Sequence, residues 1–137
     1  MKFDNPKTII CKHCNKEIVI AGYKKNLFCS KLCNREFKKK ETKARKTEKF
    51  LNGELRYREF IYHYLVEHNG NKCSICNITE WQNKFIRLWV DHIDGDPSNN
   101  KPENFRLICP NCESQTDTSR GKNYGNGRKS KGLPCYG

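Results

Sequence analysis

The sequence predicts a small α+β protein stapled by zinc, on three observations. Only 35% of the 137 residues are hydrophobic and 31% are charged, so a large apolar core is out of reach. The nine cysteines fall into two regular quartets with one left over. The apolar residues form short β-like runs and stretches of near-helical spacing, none approaching the roughly 18 residues of a membrane-spanning helix. The predicted organisation is a four-cysteine zinc finger with a basic helix in residues 1–50, a helical bridge with a second four-cysteine zinc module in 51–119, and a basic tail in 120–137.

The redox setting decides how the cysteines are read. Met1-Lys2-Phe3-Asp4 leads into no apolar h-region, so no signal peptide is expected and the protein should be cytoplasmic. A reducing cytosol favours thiolates on zinc over disulfides.

Cys11-x-x-Cys14 and Cys29-x-x-x-Cys33 enclose one β-like run, Glu17 to Ala21, and a turn at Gly22. Two knuckles joined by so short a segment can close a tetrahedral zinc site with a cysteine at every corner. His13 competes as a ligand, but four cysteines already saturate a structural zinc. The segment ends Phe28-Cys29-Ser30-x-x-Cys33 and is similar to the small treble-clef-like or knuckle zinc fingers that run directly into a helix.

That helix is expected over Asn34 to Lys49, where basic residues outnumber acidic ones and neither Gly nor Pro intervenes. Arg35, Lys38, Lys39, Lys40, Lys43 and Arg45 are its candidate phosphate contacts, which would add affinity without reading sequence. A solvated connector is the alternative. From Thr47 to His68 the residues Phe50, Leu51, Leu55, Phe60, Ile61, Tyr64 and Leu65 recur at near-helical spacing, broken at Asn52-Gly53 and ended by Asn69-Gly70. A domain boundary is expected near Leu51 to Glu54.

Cys73-x-x-Cys76 and Cys109-x-x-Cys112 form the second quartet. Its long spacer fits an inserted hairpin pinned at both ends by one zinc. Within it a turn or short helix is expected at Thr79-Glu80-Trp81 and a continuous strand over Phe85 to Val90, with Trp81 and Trp89 filling the core. Asp94 and Asp96 read as turn residues, since their order does not match a calcium loop. Cys135 is the leftover thiol, most simply without function. Arg120, Lys122, Arg128 and Lys129 lie in a basic, glycine-rich tail and are further candidate DNA contacts.

Asp91-His92 at the end of the apolar run, Asn104 before the second one, and Glu113 just after Cys112 together resemble the HNH endonucleases. In that family a ββα-metal element carries a His at the end of its first strand, an Asn in or just after the loop, and a metal ligand early on the helix. His92 and Asn104 match, whereas Glu113 stands where the family usually has His. The resemblance implies a metal-dependent DNA endonuclease: His92 as general base, Asp91 and Glu113 as ligands of Mg²⁺ or Mn²⁺, and Asn104 as the orienter of the loop. Asp117 is a reserve ligand, expected to share a helix face with Glu113 four residues earlier.

Hard oxygen donors suit Mg²⁺ or Mn²⁺, and imidazole titrates near neutral pH, so these residue types suit hydrolysis of a phosphodiester. Two structural Zn²⁺ ions complete the expected cofactors, with no small-molecule cofactor and no membrane. The formal charge of +12 favours a polyanion, here DNA. Small HNH proteins with an added zinc finger are similar to those of phages and mobile elements, which implies the cytoplasm of a bacterium or phage-infected host and leaves room for a homodimer or a phage-encoded partner protein. The alternative is a catalytically inactive zinc-finger nucleic-acid-binding protein.

Overall fold

A computed structural model describes residues 5–21, 27–119, 122 and 132. Expectations that rest on Gly22, Arg120, Arg128, Lys129 and Cys135 fall outside the described residues. The protein is a small α+β chain with two four-cysteine clusters, and it divides into two compact units between Arg45 and Lys46. Among the described residues no helix is long and apolar enough to cross a membrane.

The first unit is built on a hairpin and the start of a long helix. Strands β1 (Lys7–Ile10) and β2 (Glu17–Ile20) pair antiparallel, with Ile10 opposite Glu17. The connection holds the first knuckle: Cys11 N–H donates to Lys16 O at 2.9 Å and Asn15 N–H to Cys11 O at 2.9 Å. Asn15 takes φ +60, a left-handed conformation that asparagine tolerates better than most residues. Helix α1 (Lys31–Leu51) begins beside the second cysteine pair, where the Ser30 hydroxyl accepts from Cys33 N–H at 3.1 Å as an N-terminal cap. The Phe28 and Phe37 rings meet at 5.2 Å. From Lys38 to Arg45 all but Thr42 are exposed, so this stretch of the helix is polar nearly all round.

The second unit contains the core. Helix α1 ends in a Schellman motif, with Glu54 N–H on Lys49 O and Gly53 N–H on Phe50 O, both at 2.9 Å, and Gly53 at φ +73. A side chain at Gly53 would be strained by that φ and would sit 3.6 Å from Asn100 O. The break read from Asn52-Gly53 is thus where the chain turns into helix α2 (Arg58–Asn69). Phe50, Ile61, Leu65, Leu88, Phe105, Leu107 and Ile108 form one buried cluster together with Cys73 and Cys109. Phe50 packs its ring at 5.8 Å from Phe105, and Tyr64 meets Phe50 at 4.7 Å.

The region between the second pair of knuckles differs from expectation. Phe85 to Val90 is not one strand but parts of two hairpins. Strands β3 (Glu80–Trp81) and β4 (Lys84–Phe85) pair with each other, turning through Gln82 and Asn83 at φ +51 and +60. Strand β5 (Trp89–His92) pairs instead with β6 (Phe105–Ile108), with Asp91 opposite Arg106 and His92 opposite Phe105. Ile86 N–H donates back to Thr79 O at 3.0 Å, which closes the first hairpin and frees the chain to change partner. Thr79-Glu80-Trp81 accordingly enters a strand, not a helix or turn. Trp81 and Trp89 are not core: 57% and 43% of their surfaces are exposed, and the aliphatic and phenylalanine side chains fill the interior without them.

Helix α2 lies against β5 and β6, and a short helix α3 (Pro110–Gln115) follows β6 directly. Cys109 is the N-cap of α3, with its sulfur accepting from Cys112 N–H at 3.4 Å and Pro110 in the first turn.

Candidate metal centres and active-site pocket

In each quartet one atom from every cysteine lies within 4.8 Å of the other three: Cys11, Cys14, Cys29 and Cys33 in the first, Cys73, Cys76, Cys109 and Cys112 in the second. All eight are free thiols, and the closest sulfurs stand 3.3 Å apart for Cys29 and Cys33, 3.5 Å for Cys14 and Cys29, and 3.8 Å for Cys76 and Cys109. A tetrahedral zinc centre with four Zn–S bonds of about 2.3 Å places its sulfurs about 3.8 Å apart. Each cluster therefore fits a structural zinc.

The charge balance within the clusters supports the same fit. Backbone N–H groups, first that of Cys14, pull the Cys11 thiol down to about 6. Burial would raise Cys73, but the N–H groups of Cys76, Cys109 and Ile75 outweigh it and bring the thiol to about 6. The opposite holds for their neighbours. Cys33 and Cys14 push Cys29 up to about 12, and Cys76 followed by burial pushes Cys112 up to about 12. Four crowded sulfurs cannot all ionise on their own, and a divalent soft-tolerant cation removes that conflict.

The candidate active site lies at the end of the β5–β6 hairpin. A cavity of about 280 Å³ is lined by Arg58, Trp89, Asp91, His92, Glu113 and Thr118, among others. Asp91 and His92 come from the last two positions of β5, Glu113 from α3 and Arg58 from the first turn of α2.

His92 packs its ring 4.6 Å from that of Phe105, its cross-strand partner, at a tilt of 48°, and its Nε2 is buried with no hydrogen-bond partner. Burial pushes the imidazole below its ordinary 6.5, and the Arg58 guanidinium pushes further. Asp94, Asn100 and Asp91 pull the other way without reversing the shift. The ring is therefore neutral at neutral pH and able to accept a proton.

Asp91 and Glu113 are each held by a neighbour. Arg106 Nε donates to Asp91 Oδ2 at 2.8 Å across the hairpin, and the Ser119 hydroxyl donates to Glu113 Oε1 at 3.1 Å. Asn104 is 7% exposed and does not line the cavity; it fastens the loop that follows His92. Its amide oxygen accepts from Asp94 N–H at 3.1 Å, and its Nδ2 donates to Asp94 Oδ1 at 2.8 Å and Asn99 O at 2.9 Å. Asp94 and Asp96 serve as turn residues: Asp94 accepts from Asp96 N–H, and Asp96 from Ser98 N–H and its hydroxyl.

Asp117 departs from expectation. Helix α3 ends at Gln115 because Thr116 turns extended, its N–H and hydroxyl both donating to Glu113 O. Asp117 therefore shares no helix face with Glu113, is exposed, and is absent from the cavity wall. Of the basic candidates, Arg35, Lys38, Lys39, Lys40, Lys43 and Arg45 are exposed on α1, with Arg35 3.6 Å from Glu36, and Lys122 is exposed beside Thr116 O.

Sequence reasoning missed Arg58, Arg106 and Trp89 as cavity or hairpin partners. Arg106 was open to discovery, because pairing the two strands puts it opposite Asp91. Arg58 carries no local signal, since only the packing of α2 on the hairpin brings it there.

The fold and site define a small α+β protein with two four-cysteine clusters that fit zinc, whose hairpin and short helix wall a cavity bearing two carboxylates and a neutral histidine. Over 55 residues the chain is 44% identical to H-N-H endonuclease F-TflIV of Escherichia phage T5. That stretch is 40% of this chain and 24% of the relative, so the match spans about a quarter of the relative's length. No family model and no solved structure matches the chain. The likeness to an H-N-H endonuclease agrees with the resemblance carried by His92, Asn104 and the flanking cysteines.

Proposed function

We propose that the protein is a metal-dependent DNA endonuclease whose β5–β6–α3 segment acts as a ββα-metal module and whose first unit is a treble-clef-like zinc finger. The observation that carries this reading is the convergence of Asp91, His92 and Glu113 on one cavity. Two zinc ions would be structural, one in each four-cysteine cluster.

In this reading His92 takes a proton from the attacking water as the water oxygen bonds to phosphorus and the P–O3′ bond breaks. Asn104 keeps the loop after His92 in place, so the imidazole meets the water at a fixed angle. Asp91 and Glu113 would hold Mg²⁺ or Mn²⁺, which when bound supplies positive charge to the phosphate. The exposed lysines and arginines of α1 would follow the DNA backbone without reading its sequence.

A second reading has one observation in its favour. Arg106 already neutralises Asp91 at 2.8 Å, as it would in a catalytically inactive zinc-finger nucleic-acid-binding protein. Plasmid nicking separates the two. Cleavage that requires added Mg²⁺ or Mn²⁺ supports the enzyme, and DNA binding with no cleavage under any divalent ion supports the binding protein.

A further inference from the structure

The β3–β4 hairpin is built in a way that neither core packing nor the cavity chemistry explains. Trp81 is 57% exposed and Phe85 77% exposed, in a chain with few large apolar side chains to spare. Neither belongs to the buried cluster, and no aromatic contact among the described residues includes either ring. A two-stranded sheet of two residues a side is marginal by itself. It is nonetheless held in a tight turn in which both central residues, Gln82 and Asn83, have positive φ.

The register distinguishes the two faces of the hairpin. Residues directly opposite in an antiparallel pair project to the same side, so Trp81 shares a face with Lys84, and Phe85 shares the other with Glu80. One face offers an aromatic plane beside an ammonium group, and the other an aromatic plane beside a carboxylate. Only the first complements DNA, whose bases stack on aromatic rings and whose phosphates pair with cations. Exposed Arg87 adds a second cation just past the hairpin.

We propose that the β3–β4 hairpin is a DNA-contacting finger in which Trp81 stacks on a nucleobase while Lys84 pairs with a neighbouring phosphate. The choice of DNA as partner rests on the nuclease reading; the face that binds rests on the hairpin register. The contact is sequence-tolerant, because every base presents a π face.

The test is a fluorescence-anisotropy titration of a short labelled single-stranded DNA, whose base faces are free to stack, with the full chain, zinc retained and no Mg²⁺ or Mn²⁺ added. Trp81→Ala should weaken binding about tenfold with an unchanged dependence on salt. Trp81→Phe, which keeps a π face, should recover most of that loss. Lys84→Gln should lower the slope of log affinity against log salt by about 0.7, as expected for one phosphate contact on a single strand. Phe85→Ala, on the opposite face, should bind like the parent. Parental affinity in Trp81→Ala, or equal losses in Trp81→Ala and Phe85→Ala, would overturn the proposal. The titration contains no cleavage step, so a parent that binds through Trp81 but never cuts would overturn the nuclease reading alone.

Discussion

The two four-cysteine clusters begin alike and end differently. Each opens with Cys-x-x-Cys-Asn, and each asparagine, Asn15 or Asn77, has φ +60 and donates its N–H to the first cysteine's carbonyl at 2.9 Å. Each closes at the start of a helix, α1 or α3. In the first only Cys11 is buried, with Cys14 and Cys29 exposed and Cys33 half-buried. In the second, Cys73 and Cys109 are members of the apolar core, with exposures of 0% and 1%. The same knuckle therefore lies outside the buried apolar cluster in one unit and supplies two members of it in the other, and the candidate chemistry is attached to the latter.

Removing one cysteine from each cluster should separate the two most clearly. Cys109→Ser should lower the melting temperature of the second unit by roughly 15 °C or more, because it disturbs zinc and core together. Cys14→Ser should leave that transition within a few degrees of the parent. Trp81 and Trp89 both lie in the second unit, so tryptophan fluorescence reads its melt selectively. Equal shifts from the two variants would show that the clusters do not differ in this way.

Chemistry and folding should separate within the second unit. Glu113→Ala removes a proposed divalent ligand without touching a cysteine, so cleavage at limiting Mg²⁺ should fall at least about tenfold and recover in part as Mg²⁺ or Mn²⁺ is raised. Its melt should stay near the parent's. Unchanged cleavage at limiting metal would remove Glu113 from the site.

A smaller effect is expected on the side of the first unit. Replacing Lys38, Lys39 and Arg45 with Gln should lower the salt slope of DNA binding by about 2.7, the sum for three phosphate contacts, and leave turnover of bound DNA unchanged. The smallest effect concerns pH. Burial and Arg58 hold His92 below 6.5, so cleavage should stay level through neutral pH and decline only as the imidazole gains its proton on the acid side. A decline centred on the alkaline side of neutrality would contradict that assignment.

What could be read from the sequence was mostly local. Cysteine spacing marks both clusters, Asn52-Gly53 marks the helix break through its need for a positive φ, and the uninterrupted basic run marks α1. What could not be read depended on partners distant in the chain or on single hydrogen bonds. Phe85 to Val90 has the composition of one strand, and only the return of Ile86 N–H to Thr79 O reveals the change of partner. The end of α3 turns on the Thr116 hydroxyl, which removes Asp117 from the helix face. The expectation that Trp81 and Trp89 lie inside rested on the general rule for large apolar residues, whereas the core is filled by smaller side chains and both indoles are exposed. Asp91, His92 and Glu113 could be named from spacing, whereas Arg58 and the hold of Arg106 on Asp91 required the packed hairpin.

The most direct test of the central claim is cleavage of supercoiled plasmid by the parent and by His92→Ala, side by side with Mg²⁺ or Mn²⁺. The parent should cut in a divalent-dependent way and the variant should lose on the order of 10²- to 10⁴-fold, with DNA affinity and zinc content retained. Cutting by His92→Ala at the parent's rate, or no cutting by a zinc-loaded parent with either ion, would contradict it.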